Sequence, residues 1–300
     1  SGTEMQLMSA NLYSADLDGD GRAEEFAYCG LESGGNESGY YGATSLYPTF
    51  LINGKRVQSG YSQADGYTED MKNQWGNVLD GQRFYLCDLR QGDGQWELAV
   101  LDPGPSGDPV TTFLCWDGND LKLVGRVIDF PFAQENDFLA EEYANGTYGL
   151  DGRGNVTIRA RANILQTWWI RETWRVNRKS GQLELVVPKD GLFENTNPYY
   201  YRDYIWQGSN DYKGLYPHLM KDLPLYRQPD QSAETFVMEA AIHGVDNKIY
   251  FTHTDNEHWV RVEDDAGESG WFYLDSFTWL ITEEGKINIY DVIGGLNTAD

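Results

Sequence analysis

Short apolar runs separated by turn residues are the feature that most constrains the fold of this chain. Stretches such as EEFAYCG, QRFYLCDL and WELAVLDPG are rich in β-branched and aromatic residues, and segments containing Gly, Asn or Asp separate them. Runs of this kind are typical of β-strands. Asn53-Gly54, Asp117-Gly118 and Ser180-Gly181 indicate tight hairpin turns. The sequence therefore predicts an all-β fold, with short helical candidates only at 69–78 and 132–143.

A loose repeat recurs along the first two-thirds of the chain. Each repeat has an acidic, glycine-containing loop, two strands, a tight turn and a further strand. The loops are the first loop (16–24, DLDGDGRAE), the second loop (88–97, DLRQGDGQWE) and the third loop (149–155, GLDGRGN). A spacing of roughly 60–70 residues fits one antiparallel sheet per repeat. Because a closed propeller needs about four to eight blades, we expect an incomplete or merged propeller, or a sheet assembly that reuses the hairpin.

The charge of the chain restricts its partners. With 23 basic and 47 acidic residues, the formal net charge is −24. Such a surface repels nucleic-acid phosphates and anionic membranes, and it attracts cations. The alternative interpretation is that the charge serves solubility alone. No window approaches the ~18–20 apolar residues of a membrane-spanning helix.

The first loop has the composition of a calcium site. Asp16, Asp18, Asp20 and Glu24 occupy positions 1, 3, 5 and 9 of the loop, and position 7 can add the backbone carbonyl of Arg22. Calcium prefers six to eight oxygen ligands, several of them carboxylate. The glycines between the aspartates allow the chain to bend around an ion. We expect one structural Ca²⁺ here, and the alternative is a solvated acidic hairpin without metal.

An EF-hand is the competing interpretation of the first loop. It requires a bidentate Glu at position 12, where this chain has Ala27. The flanking segments NLYSA and EFAYC also indicate strands and not helices. The sequence therefore favours a β-hairpin loop over an EF-hand.

The second and third loops do not carry the same ligand set. The second loop has Arg90 where an aspartate is expected and Asp93 one position late, so that Asp88, Asp93 and Glu97 surround a cation. The third loop has one acidic side chain, Asp151. We expect turns of similar backbone without bound calcium, or with weak binding at the second loop.

The first loop and the strand after it resemble the FG-GAP/VCBS repeat of integrin-like β-propeller blades. DGQWELAV and WDGNDLKLVG resemble the matching parts of degenerate repeats in secreted Firmicutes proteins. The resemblance covers about two-thirds of the chain and is strong only in the first repeat. It implies a calcium ion that ties a β-hairpin and has a structural role.

Residues 221–280 resemble a bacterial SH3 domain, and a C-terminal tail follows them to residue 300. The matching segments are LPLY at 223–226, WVRV at 259–262 and GWFY at 270–273, with a distal turn at Ala266-Gly267. The resemblance implies a small barrel that binds cell-wall peptide or glycan, or that mediates domain packing. The aromatic residues at strand ends are its candidate contact residues: Tyr226, Trp259, Trp271 and Tyr273. The alternative is that both tryptophans belong mainly to the core.

Residues with catalytic chemistry form no convincing pattern. The candidates are Cys29, Cys87, Cys115, His218, His243, His253, His258, Ser106 and the pair Asp102 and Asp108. The cysteines lack metal-ligand spacing and indicate small buried residues in strands, although one disulfide with a free thiol is also possible. HTDNEH (253–258) invites a metal interpretation, but any other ligands would have to come from distant segments. Ser106 lies between strands and lacks the strand-to-helix turn of a nucleophile elbow.

Together these patterns predict a β-repeat domain at 1–190, an aromatic-rich connector at 191–220 and an SH3-like barrel at 221–300. We expect a non-enzymatic, calcium-binding protein of the bacterial cell surface or exterior, with peptidoglycan or another envelope protein as partner. Two alternatives are a cell-wall hydrolase or its accessory subunit, and the structural ectodomain of a larger surface protein.

Overall fold

The fold is almost entirely antiparallel β-structure, as the strand pattern predicts. The computed structural model describes residues 6–9, 12–38, 44–61, 64–67, 84–102, 109–132, 140–165, 168–196, 217–240, 248–276, 278–282 and 285–296. In these ranges no sheet closes into a barrel, so the described part of the predicted SH3-like barrel at 221–300 is an open sheet. The helix predicted at 69–78 lies outside them. The one predicted at 132–143 is represented by a short helix, α1 (Ala140–Ala144).

The chain divides into two compact units. Unit 1 comprises Ser1–Ile158 and Thr173–Val186, and unit 2 comprises Arg159–Glu172 and Val187–Asp300. Most of the predicted connector, residues 197–216, lies outside the described residues.

Three sheets correspond to the three sequence repeats. Their strands are β1 (Gln6–Ser9), β2 (Leu12–Ala15), β3 (Glu24–Ser38), β4 (Thr44–Ile52), β5 (Lys55–Gln58), β6 (Ala64–Tyr67), β7 (Phe84–Cys87), β8 (Glu97–Asp102), β9 (Val110–Trp116), β10 (Leu121–Ile128), β11 (Gly149–Leu150), β12 (Asn155–Arg161), β13 (Trp169–Val176) and β14 (Leu183–Leu185). The first sheet has the order β1-β2-β3-β4-β5, with β6 beside β4; the others are β10-β9-β8-β7 and β11-β12-β13-β14. Each contains a four-strand meander, β2–β5, β7–β10 or β11–β14. Each of the three acidic loops connects the first two strands of its meander. Three successive open meanders are consistent with an incomplete propeller-like arrangement.

The three predicted hairpin turns are confirmed. Strand pairing closes around them at Ile52↔Lys55, Trp116↔Leu121 and Val176↔Leu183. Asn53 and Gly54 both have positive φ, 49° and 75°. Two such residues in sequence match the right-handed twist of the flanking strands.

One hydrophobic core of unit 1 is formed by residues of the first two sheets. Buried residues from both sheets pack there, including Phe26 and Phe50 from the first and Leu98 and Leu114 from the second. Phe84 of β7 meets Phe26 and Phe50 edge-on, at centroid distances of 6.0 and 5.6 Å. Burying such large aromatic side chains supplies much of the free energy that holds two sheets together.

Unit 2 contains a larger open sheet. The strands after β14 are β15 (Phe193–Glu194), β16 (His218–Leu219), β17 (Leu223–Tyr226), β18 (Thr235–Met238), β19 (Ile249–Thr254), β20 (Trp259–Asp264), β21 (Ser269–Ser276), β22 (Trp279–Thr282), β23 (Gly285–Asn288) and β24 (Ile293–Gly294). All of them belong to this sheet except β16 and β24, which form a separate two-stranded sheet. The main order is β15-β19-β20-β21-β17-β18, and β22 joins β21 to β23. A 3-10 helix (Ile289–Asp291) precedes β24, which pairs with β16. Residues 239–248 connect β18 to β19, and 241–247 of this segment lie outside the described part.

The three cysteines are free and lie in strands of unit 1. Cys87 is buried and Cys115 is partly buried, as expected, whereas Cys29 is exposed on β3. Successive side chains of a strand point to opposite faces of the sheet. Cys29 is three residues from Phe26 on β3, so it points away from the face on which Phe26 is fully buried.

Candidate metal site at the first loop

The first loop brings three carboxylates together. One oxygen from each of Asp16, Asp18 and Glu24 lies within 4.8 Å of the others. The loop's own backbone holds them: Gly21 N donates to Asp16 Oδ2 at 3.0 Å, and Leu17 N donates to Glu24 Oε2 at 2.8 Å. The local turn chemistry of the loop therefore orients the cluster.

One oxygen of this cluster has no protein partner. Asp16 Oδ1 is buried and accepts no hydrogen bond. Asp16 Oδ2 already accepts from Gly21, so the two oxygens of one carboxylate have different environments. A buried carboxylate oxygen without a donor is costly. A cation is one group that would satisfy it.

The electrostatics of the cluster disfavour three bare negative charges. Burial raises the pKa of Glu24; the hydrogen bond from Leu17 opposes this effect, and the charges of Asp18 and Asp20 add to it. In the described part of the chain, no lysine or arginine forms an ion pair with the three carboxylates. A divalent cation would supply the missing positive charge.

One of the predicted side-chain ligands is placed differently. Asp20 is exposed, and its Oδ1 accepts a hydrogen bond from Arg22 N at 2.7 Å. Asp20 is outside the three-carboxylate cluster. For Arg22 the predicted ligand is the backbone carbonyl, and that assignment stays a prediction. The alternating aspartates thus divide, with positions 1 and 3 facing the cluster and position 5 supporting the turn.

The second loop repeats this backbone framework. Leu89 N donates to Glu97 Oε2 at 2.9 Å, which matches the Leu17–Glu24 bond. Asp88 Oδ1 is buried without a partner, as Asp16 Oδ1 is. Burial raises the pKa of Glu97 to about 7, although the Leu89 N–H opposes this effect.

The second loop differs from the first by an internal ion pair. Arg90 Nη2 lies 3.0 Å from Asp93 Oδ2. Within the described residues, the acids of this loop do not form a compact three-carboxylate cluster. The arginine identified from the sequence therefore lies among the acids of its loop.

Neighbouring loops of unit 1 contact one another, which the sequence did not indicate. Trp96 N donates to Leu17 O at 3.1 Å, and Gln91 N donates to Gly152 O at 2.8 Å. The first loop therefore contacts the second, and the second contacts the third. Their equivalent positions in successive repeats are the signal that could have suggested these contacts.

In unit 2, three of the four predicted contact residues form an aromatic cluster. Trp259 meets Tyr226 edge-on at a centroid distance of 5.3 Å and Tyr273 at 5.1 Å, and His258 stacks on Tyr273 at 5.1 Å. Tyr226, Trp259 and Tyr273 are partly exposed. Trp271 is only 7% exposed and packs into the unit. We call Tyr226, Trp259, Tyr273 and His258 the aromatic cluster.

The described cysteines and histidines among the candidate catalytic residues belong to different units. All cysteines belong to unit 1 and all histidines to unit 2. Burial raises the pKa of the Cys87 and Cys115 thiols, which disfavours the reactive thiolate. Ser106, Asp108 and His243 lie outside the described residues.

The HTDNEH segment uses its aspartate to build a turn. Asp255 Oδ1 accepts hydrogen bonds from the backbone N–H groups of Glu257, His258 and Trp259 at 2.8–2.9 Å. His258 Nδ1 lies 2.8 Å from Leu274 O. These groups are engaged in folding, and the described residues of this segment form no metal-binding cluster.

Searches of protein-family models, curated proteins and solved structures found no match to this chain. No described helix has the length and apolar character needed to cross a bilayer.

Proposed function

We propose that this chain is a non-enzymatic, calcium-binding module of the bacterial cell envelope. Its first loop, by this proposal, binds one structural Ca²⁺ in an FG-GAP/VCBS-like repeat. The observation that carries the proposal is the cluster of Asp16, Asp18 and Glu24, in which Asp16 also has a buried oxygen without a hydrogen-bond partner. Hard carboxylate oxygens are the ligands that calcium prefers, and extracellular modules bind it at millimolar concentrations.

Calcium would act by joining the start of β3 to the end of β2. Asp16 and Asp18 follow β2 directly, and Glu24 is the first residue of β3. An ion held by these side chains favours the folded hairpin over the unfolded chain, because the unfolded chain does not hold the three carboxylates together.

The test is calcium titration of the chelator-treated full chain by calorimetry and thermal melting. We expect one binding event and, at 100 times the Kd, about 2.7 kcal/mol of added stability. That corresponds to roughly 5–10 °C in Tm for a unit of this size. Asp18→Asn should abolish the response, whereas Asp93→Asn, the same change in the second loop, should preserve it. A chain that neither binds calcium nor melts at a higher temperature with it would contradict the proposal.

The partner we propose is peptidoglycan, bound through the SH3-like C-terminal part. Support comes from the partly exposed aromatic cluster of unit 2. Partly exposed aromatic side chains offer rigid contact area at low entropic cost.

Co-sedimentation of the full chain with purified peptidoglycan tests this partner. Trp259→Ala should reduce the bound fraction severalfold. Trp279→Ala, which removes a 43%-exposed tryptophan elsewhere in unit 2, should not. Equal effects of the two variants, or no co-sedimentation with or without calcium, would contradict wall binding.

A further inference from the structure

Unit 1 contains a cavity with an unexpected charge. Its volume is about 830 Å³, and Arg90, Arg153, Arg175 and Arg178 line it. Glu184 is the only acidic residue of its described lining, so the lining carries a formal charge of 4 − 1 = +3. In the whole chain, by contrast, acidic residues outnumber basic ones 47 to 23. A basic cavity in so acidic a chain indicates a site for an anion.

Two of the arginines replace acids of the loop framework. Arg90 stands in the second loop where the first loop has Asp18, and Arg153 stands in the third loop where the first has Asp20. The two are partners in an isolated antiparallel bridge. Directly opposed residues of such a bridge project from the same face, where like charges repel each other.

The protein satisfies these cations only in part. Arg90 pairs with Asp93, yet its Nε is buried without an acceptor. Arg175 Nε donates to Asn155 Oδ1 at 2.7 Å, a neutral group. Arg153 and Arg178 are exposed and form no ion pair within the described residues.

The nearby acids are engaged elsewhere. Both oxygens of Glu184 accept from the Asn177 side-chain amide, at 2.8 and 2.9 Å. On the third loop, Asp151 Oδ1 accepts from the backbone N–H groups of Arg153 and Asn155, at 2.7 and 3.0 Å. Guanidinium donors of the cavity therefore remain for a ligand.

We propose that this cavity binds a small phosphate monoester. A phosphate monoester carries about −1.5 to −2 charges and three acceptor oxygens, which suits a lining of +3 better than one carboxylate does. The guanidinium fork matches phosphate oxygens bidentately. The side-chain amide of Gln91 also belongs to the lining and suits a hydroxyl group on the carrier. The volume lies in the range of roughly 300–1,000 Å³ that small-molecule sites occupy.

Calorimetry on the chelator-treated full chain tests the proposal, with inorganic phosphate, glycerol 3-phosphate and acetate as probes at constant ionic strength. We expect saturable 1:1 binding of both phosphates, with glycerol 3-phosphate tighter and acetate at least tenfold weaker. Arg153→Gln and Arg178→Gln should each weaken phosphate binding about tenfold, since each removes a charged hydrogen bond. Lys55→Gln, which removes an exposed charge on the β4–β5 hairpin, should change it less than twofold.

Melting curves of each variant check folding, and an unchanged calcium response separates this site from the first loop. Absence of saturable phosphate binding by the folded wild-type chain would overturn the proposal. An equal loss with Lys55→Gln would overturn the site, because it would show unspecific charge attraction. Acetate binding as tight as phosphate binding would overturn the phosphate assignment.

Discussion

The first and second acidic loops share a framework and differ in what it surrounds. In each, the residue after the first aspartate donates its backbone N–H to the glutamate that begins the next strand, Leu17 to Glu24 and Leu89 to Glu97. In each, the first aspartate has a buried oxygen without a partner. The aspartate and the glutamate therefore belong to the turn itself, whether or not an ion is bound.

The difference lies at the third position of the loop. Asp18 completes a carboxylate cluster in the first loop, whereas Arg90 pairs with Asp93 in the second and lines the arginine-rich cavity. One reversal of charge on a shared backbone thus separates a candidate cation site from a candidate anion site. The loop framework supplies the geometry, and the side chain at this position supplies the sign of the charge.

The largest loss of stability we expect comes from a substitution at the contact between the first and second loops. A Cβ on Gly19 (φ 76°) would lie 2.6 Å from Gly94 O, whereas a Cβ on Gly94 (φ 83°) would meet nothing closer than 3.6 Å. Gly19→Ala combines left-handed strain with overlap against backbone, which predicts a loss of about 4 kcal/mol. Gly94→Ala has the strain alone, about 1 kcal/mol.

Urea unfolding in chelator, followed by tryptophan fluorescence, measures both variants without any contribution from calcium. Equal losses would show that the first and second loops do not touch in solution.

A second, smaller change in stability comes from the ionisation of Glu97 in the second loop. The pKa of Glu97 is raised from 4.5 to about 7, mainly by burial. The folded protein therefore binds more protons than the unfolded chain between these values, so its stability falls as pH rises from about 4.5 to about 7 and then levels off. The accumulated loss is on the order of 3 kcal/mol. Glu97→Gln keeps an acceptor for Leu89 N and removes the charge, so this variant should be more stable than wild type at pH 8.

Urea unfolding at pH 5, 6, 7 and 8 checks the sign and the range of this dependence. In the first loop, Glu24→Gln should act in the same direction in chelator and should lose the calcium response, because the variant lacks a proposed ligand. A Glu97→Gln protein that is less stable than wild type at pH 8 would show that the ionised carboxylate is needed for the turn.

The sequence was sufficient for features that depend on local patterns. Strand composition and turn dipeptides predicted the all-β fold and the three hairpins. The acidic spacing of the first loop predicted Asp16, Asp18, Asp20 and Glu24 as side-chain ligands, and three of these four form the carboxylate cluster. These features arise from neighbouring residues, so a single sequence contains the necessary information.

Features that depend on tertiary packing could not be predicted in this way. Trp271 is buried, although aromatic residues at comparable strand positions, Trp259 and Tyr273, are partly exposed. The arginine-lined cavity forms because the second and third loops meet, and they are about 60 residues apart in the chain. Only the packing of sheets brings such residues together.

The smallest change in stability we expect is that of Asp93→Asn, which removes the acid paired with Arg90. The two side chains are 31% and 28% exposed, and a partly exposed ion pair contributes at most about 1 kcal/mol. The charge of Asp93 also raises the pKa of Asp88 and of Glu97, so Asp93→Asn relieves repulsion while it removes attraction. An asparagine oxygen can still accept from Gln95 N, as Asp93 Oδ1 does at 3.0 Å. We therefore expect a change in stability below about 1 kcal/mol, together with a lower pKa for Glu97 in an NMR titration. A loss as large as that of Gly19→Ala would mean that the Arg90–Asp93 pair holds the second loop, and that its framework differs from that of the first.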